Sequence, residues 1–358
     1  MSILTNLGIT VPIVQAPMAG VSTAKLAAAV SNAGGLGSIG IGAADALGAE
    51  TMIADLQALT DRPFNVNLFV HSSPHVDPER EAQWLQALSP SFAAYGAQPP
   101  ETLRTIYTSF AKDDAMLSML LRMQPSVISF HFGLPSHDRI AALKAAGCVL
   151  LSTATNLDEA QAAEAAGIDG VIAQGFEAGG HRGVFDPSLP DTNLGTLALT
   201  QLLVQRISLP VIAAGGIMDG RGIASVLALG AHAAQLGTAF IACPESNADA
   251  AYREALMGQS AHNTIMTRSI SGRPARCLSN RFTDWASASQ DLSVPDYPRA
   301  YDAGKALNAV AKSAGEPGFG AQWAGQGAPL ARALPAVDLV KILMRELEHT
   351  YRADLSKA

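Results

Sequence analysis

The stretch Pro210-Val211-Ile212-Ala213-Ala214-Gly215-Gly216-Ile217-Met218-Asp219, followed by Ala233-Ala234-Gln235-Leu236-Gly237-Thr238, decides the fold. Each half is a short apolar run that stops at glycine. Between them, residues 220–229 have the composition of a helix that Asp219 can cap. Two strands joined by a helix run parallel, because the helix carries the chain back to the end where the first strand began.

The same alternation continues toward the N-terminus. Apolar runs at 11–15, 36–39, 64–69, 127–130, 148–152 and 170–174 read as strands, which makes eight in all. Helical stretches at 24–33, 138–146, 157–166 and 197–206 separate several of them. Ser22 or Thr23 can cap the first helix, and Gly34-Gly35 closes it. Eight parallel βα units close a (β/α)8 TIM barrel, and a span of 240 residues suits one. A doubly wound open sheet is the other architecture. The reading is therefore α/β. Residues 1–240 form a barrel with a helical insertion near 78–123. Residues 241–335 form an appended, mostly helical subdomain, and 336–358 a C-terminal helix packing back on the barrel.

Composition narrows the function. The 358 residues are 48% hydrophobic and 15% charged, which supplies a core and excludes an intrinsically disordered chain. Lys+Arg 24 against Asp+Glu 31 gives net −7 with no basic block, so neither nucleic acid nor an anionic membrane is an expected partner. Three scattered cysteines, Cys148, Cys243 and Cys277, offer no disulfide framework and no paired thiolates. The first 24 residues lack Lys and Arg, and no apolar run is long enough to span a bilayer. The expectation is a cytoplasmic globular protein, monomeric or a weak homodimer.

In a barrel, ligands bind where strands end. The loops after the seventh and eighth strands are the usual phosphate site. Gly215, Gly216 and Gly237 would let backbone N–H groups approach an anion, and Thr238 adds a hydroxyl. Ordinary tight turns are the competing reading. No GK[ST] occurs, so the phosphate would belong to a cofactor or sugar. Gly35-Leu36-Gly37-Ser38-Ile39-Gly40 matches G-x-G-x-x-G, but a helix precedes it and a strand lies inside it. A dinucleotide fingerprint needs the reverse order.

Gln15-Ala16-Pro17-Met18-Ala19-Gly20 leaves the first strand with small residues against which a flat ring could lie; a plain strand exit would read the same. Asn65, Asn67 and Phe69 share one side of the third strand. Asn67 could bond a heterocycle edge, or satisfy the backbone. The densest cluster is Gln174-Gly175-Phe176-Glu177-Ala178-Gly179-Gly180-His181-Arg182-Gly183. Its glycines would let the loop lie against a ligand, and His181 is the side chain best suited to move a proton near neutral pH. A surface loop with incidental charges is the alternative, although such long loops are mostly functional or disordered. His131 points to the same strand-end face. His71 and His75 have Pro74 between them, so they are not a helical metal pair, and no metal is expected. Tyr301 and Lys305, four apart, share a helix face that could hold a carboxylate or simply face solvent.

With those residues in place, the chain resembles the nitronate monooxygenase family, formerly called 2-nitropropane dioxygenase, of class I. The likeness rests on residues 15–23, on Asn65-Val66-Asn67-Leu68-Phe69-Val70-His71, on Ala173 to Gly183 and on Trp323-Ala324-Gly325-Gln326-Gly327. It implies a barrel binding FMN without a covalent bond and O2 as co-substrate. FMN contacts would fall on the strand-one residues Gln15, Ala16, Pro17 and Met18, on Asn67, Gln174, Gly179, Gly215 and Gly216, and on Gln235, Leu236, Gly237 and Thr238. His181 would be the catalytic histidine, with Tyr107, His131, Tyr301 and Lys305 on the substrate side. The implied reaction oxidises an anionic alkyl nitronate, propionate 3-nitronate foremost, to malonate semialdehyde with nitrite or nitrate. An NADH-dependent quinone or enoyl reductase on the same barrel is the alternative, and a phosphate-ligand-binding protein the non-enzyme one. An IMP-dehydrogenase-like enzyme would need a cysteine after the sixth strand, and none lies between Cys148 and Cys243.

Overall fold

A computed structural model describes residues 6–289 and 291–355. Eight parallel strands make one sheet: β1 (Ile13–Gln15), β2 (Gly37–Gly40), β3 (Phe64–Phe69), β4 (Val127–His131), β5 (Val149–Ala154), β6 (Gly170–Gln174), β8 (Val211–Ala214) and β9 (Ala233–Leu236). β7 (Gly180–His181) lies outside this sheet. The order β1-β9-β8-β6-β5-β4-β3-β2 follows the chain, and a Val14–Leu36 bridge joins the two ends. The sheet is a (β/α)8 TIM barrel.

The period of two places every side chain. Val14, Val127, Leu151, Ile172, Ile212 and Ala233 point inward and fill the barrel floor. The outward residues, such as Val66, Ile128, Leu150 and Val171, pack under the helices. Two residues beyond four of these floor residues, toward the C-terminal strand ends, the side chains turn polar: Ser129 after Val127, Thr153 after Leu151, Gln174 after Ile172 and Gln235 after Ala233, while Ala16 and Ala214 follow Val14 and Ile212. The sequence thus builds an apolar floor beneath a polar mouth.

A helix at Ala46–Gln57, absent from the sequence reading, joins β2 to β3, and Asp45 caps it. Thr23, rather than Ser22, caps the helix Ala24–Asn32. The insertion consists of Pro78–Ala93, which contains Pro90, a non-helical segment, and Asp114–Met123. Its Trp84, Leu88 and Phe92 share an apolar core with Phe282, Leu307 and Phe319. A buried Arg299–Glu81 ion pair ties the same two regions together. Pro78–Ala93 and the segment after β9 therefore form one cap over the strand ends, whereas Met116, Met119 and Leu120 of Asp114–Met123 pack in the outer core of the barrel.

That cap is less helical than the sequence suggested. β10 (Thr264–Thr267) and β11 (Ala275–Leu278) form an antiparallel pair, and β7, from the glycine-rich loop, joins β11 with His181 opposite Ala275. A two-residue strand has no periodicity to read. The helix Ala336–Leu355 lays Leu339, Val340, Leu343 and Leu347 against Ile13, Leu26, Ile223 and Phe240. The remainder of the expected segment, residues 356–358, lies outside the described residues.

Candidate active site

The strand ends and the cap enclose a cavity of about 320 Å³. Its lining brings together Ala16, Pro17, Met18, Asn67, Tyr107, His131, Gln174, Gly179, His181, Gly215, Gly216, Gln235, Gly237, Thr238, Tyr301 and Lys305, all singled out in the sequence. Two others lie elsewhere. Gln15 is fully buried beside the barrel, where its amide accepts from Ser38 N–H (2.8 Å) and donates to Ser22 Oγ (2.9 Å). Leu236 points outward into the core under the C-terminal helix, because its neighbour Gln235 takes the inward position.

The glycine-rich loop divides in a way its composition did not reveal. Glu177 turns away and accepts from Thr196 N–H and Oγ1–H, both at 2.8 Å, which secures the start of the helix Thr196–Arg206. Arg182 is buried and forms a bidentate pair with Asp191, at 2.7 and 3.1 Å. Neither charge lines the cavity. Gly179 does line it, but its missing side chain is required by the chain itself: a Cβ there would lie 2.4 Å from Gly325 N. Ala178 to His181 is thus pressed between the cavity and the Ala324-Gly325 backbone.

At the β8 and β9 ends, the N–H groups of Gly216 and Gly237 meet no acceptor among the described residues. Gly216 has φ +67°, a backbone conformation that glycine adopts without strain. Thr238 Oγ accepts from Gly325 N–H at 2.9 Å and keeps its own hydrogen available. Buried Oε1 of Gln235 has no partner among the described residues, and it belongs to a residue that lines the cavity. Buried polar atoms are seldom left so.

The opposite wall is aromatic. The His181 ring lies 5.0 Å from Trp323, 5.4 Å from Tyr297, 5.5 Å from Phe132 and 6.1 Å from Tyr301, centre to centre. Its backbone carbonyl accepts from Gln174 Nε2 at 3.0 Å and from His131 Nε2 at 3.1 Å. Burial, together with the nearby His131 and Arg273, pushes the His181 pKa down to about 3, so the ring is neutral at physiological pH. Burial likewise lowers His131 to about 4. Tyr301 is pushed up to about 12, chiefly by burial, and remains a neutral phenol. Lys305 is exposed at the rim. Its Nζ lies 5.1 Å above the Tyr107 ring and 5.2 Å above Tyr301, and it pairs with no carboxylate among the described residues.

The sequence pattern of the nitronate monooxygenase family matches residues 2–346. The chain belongs to the nitronate monooxygenase family. It is 59% identical to the nitronate monooxygenase of Paraburkholderia phytofirmans over 98% of this chain and 95% of that one. It is 56% identical to the nitronate monooxygenase of Pseudomonas aeruginosa, over 95% and 97% of the two chains. Among solved structures it is similar to a nitroalkane oxidase from Streptomyces ansochromogenes, with TM-score 0.90 and 43% identity over 98% of this chain and 99% of that one. A likeness to FabK from Thermotoga maritima is weaker, at TM-score 0.75 and 28% identity over 100% and 99% of the chains. As a member of the nitronate monooxygenase family, the protein is an oxidoreductase that acts on nitronates. Among the described residues, no helix is long and apolar enough to cross a membrane, and no cluster of His, Cys, Asp and Glu could hold a metal ion.

Sequence reasoning left Tyr252 and Tyr297 unassigned, although both line the cavity. Trp323 was quoted only as part of a motif. Tyr252 donates its hydroxyl to the Trp323 carbonyl, and Tyr297 keeps a buried hydroxyl without a partner among the described residues. Tyr297 sits in an irregular segment just before the helix Arg299–Ser313, and Tyr252 on the short helix Ala250–Met257, whose spacing does not tell which face meets the cavity.

Proposed function

We propose that the protein binds FMN non-covalently and oxidises propionate 3-nitronate, with O2 as co-substrate, to malonate semialdehyde and nitrite or nitrate. The observation that carries this reading is the make-up of the cavity. It has unpaired glycine N–H groups and a hydroxyl at the β8 and β9 ends, amides along its floor, and a neutral histidine with an unpaired lysine on the cap side. A phosphate fits the first group and a flat heterocycle edge the second. Gln235 Oε1, an acceptor lacking a donor, suits the ring N–H of such a heterocycle. When bound, FMN would supply the electron acceptor for the nitronate and the reductant for O2.

The chain's own residues do the rest. A net charge of −7 repels a dianionic substrate at long range, so local groups must capture it. Lys305, flanked by the Tyr301 phenol, takes the carboxylate. The carbon bearing the nitronate then lies toward His181, inside walls made by Tyr107, Tyr297 and Trp323 that exclude water. His181 is held in one orientation by its aromatic neighbours and by the two bonds to its carbonyl.

The likeness to FabK gives the enoyl-reductase alternative its one specific support, and rapid flavin bleaching by NADH would favour it. The test of the cofactor is direct. Acid-denatured protein should release one equivalent of a yellow compound with the mass of FMN. A colourless supernatant, or FAD, would overturn the assignment.

A further inference from the structure

The one polar contact of the His181 ring in the described structure is with Ser271, whose Oγ lies 2.8 Å from Nε2. Ser271 is fully buried. It stands in the connection between β10 and β11, and the start of β11 holds β7, with His181 opposite Ala275. Neither a motif nor the cavity lining points to this serine.

A serine hydroxyl has one hydrogen to give and two lone pairs to offer. Around Ser271 Oγ stand three groups: His181 Nε2 at 2.8 Å, the Arg273 carbonyl at 3.2 Å and the Arg273 N–H at 3.4 Å. The N–H donates only and the carbonyl accepts only. Among the described residues, no other group donates to the carbonyl of Arg273, a buried residue. If the serine hydrogen went to His181, that carbonyl would be left unpaired, at a cost proteins avoid. When it goes to the carbonyl, Oγ is left to accept from the imidazole, and all three contacts are satisfied.

We propose that Ser271 is a positioning residue that fixes the tautomer of His181: it takes the Nε2 hydrogen and leaves Nδ1 unprotonated, as the ring's only acceptor. This rests on the proposed role of His181 in the active site, and it gives that role a direction. The ring meets a ligand as an acceptor of a proton or of a hydrogen bond, not as a donor. Four groups face the ring from the elements packed around it: His131 from β4, Arg273 from the segment before β11, and Tyr297 and Tyr301 at the start of the helix Arg299–Ser313. None of them makes a hydrogen bond to the ring nitrogens.

The test is nitrogen NMR of the FMN-loaded protein with labelled histidine. The eight histidines are sorted by loss of the His181 signals in His181→Asn. In the wild type, Nε2 should carry the hydrogen and Nδ1 should resonate as an unprotonated nitrogen. Ser271→Ala should shift the population toward the Nδ1–H form and lower kcat/KM for nitronates by about tenfold to a hundredfold. Ser271→Thr, which keeps the hydroxyl, should restore both. A wild-type His181 carrying its hydrogen on Nδ1 would overturn the proposal without any variant, and so would an unchanged tautomer in Ser271→Ala. Because the NMR reports the ring directly, the proposal stands or falls separately from the nitronate chemistry; a colourless protein or one inert to nitronates would refute only the latter.

Discussion

His131 donates its Nε2 hydrogen to the backbone carbonyl of His181, 3.1 Å away. A carbonyl only accepts, so Nε2 carries the hydrogen and Nδ1 is free to accept from Thr153 Oγ1 at 3.0 Å. Both nitrogens are then in use. His131 lines the cavity, but in the proposed reaction it would act through the backbone of His181. His131→Phe should therefore lower kcat by up to about tenfold, the worth of one hydrogen bond, and leave KM within about twofold. A raised KM with unchanged kcat would show direct contact with substrate instead.

The phosphate end is tested at Gly237. Its φ is −106°, which other residues adopt, and an added Cβ would meet only Ala16 Cβ at 3.3 Å and Met18 Sδ at 3.7 Å. Gly216, with φ +67°, would confound the experiment with backbone strain. Gly237→Val should fold and retain little flavin, read as the ratio of visible to ultraviolet absorbance. Full occupancy would remove the phosphate from this loop.

Lys305 sits above two tyrosine rings and pairs with no acid among the described residues, so its charge is available to a ligand. Lys305→Met should raise KM for propionate 3-nitronate by about one to two orders of magnitude, the worth of a charge-assisted contact. Ethyl nitronate, which lacks the carboxylate, should be unaffected. Equal losses with both substrates, or with neither, would return Lys305 to the surface.

Burial holds the His181 pKa at about 3 in the folded chain, against an ordinary 6.5 once unfolded. Between those values unfolding takes up a proton. The stability due to the neutral ring is complete above pH 6.5 and is lost as pH falls toward 3, at about 1.4 kcal/mol per unit. His131 adds a similar uptake between 6.5 and about 4. His181→Asn should lower proton uptake on unfolding at pH 5 by about one, measured from urea midpoints across pH. An unchanged slope would mean that the native ring is already protonated.

Cys277 is fully buried on β11, where burial pushes its thiol up to about 12. Such a thiol is no nucleophile at neutral pH. Cys277→Ser should leave turnover within a few-fold; a loss of about a hundredfold would assign it chemistry.

The barrel was legible because buried parallel strands write themselves as apolar runs ending in glycine, and Pro210–Thr238 does so twice. Its inward and outward residues follow a period of two, Leu236 included: the resemblance put it in a run of cofactor contacts, yet Gln235 takes the inward place and Leu236 the outward one. The cap was less legible. β7 is two residues long, β10 is half-buried and β11 buried along their whole lengths so that neither alternates, and the contacts of the cap with 78–93 join segments some 200 residues apart. Ser271 was invisible for the same reason. A lone serine acquires meaning only when folding brings an imidazole to it.

The central claim is that this cavity passes electrons from a nitronate to a bound flavin. Anaerobic mixing of purified protein with propionate 3-nitronate tests it most directly. The visible flavin band should bleach within the time of a turnover, return on admission of air, and leave nitrite in solution, while NADH should bleach it far more slowly. A band untouched by the nitronate but bleached at once by NADH would contradict the account and make the protein a reductase.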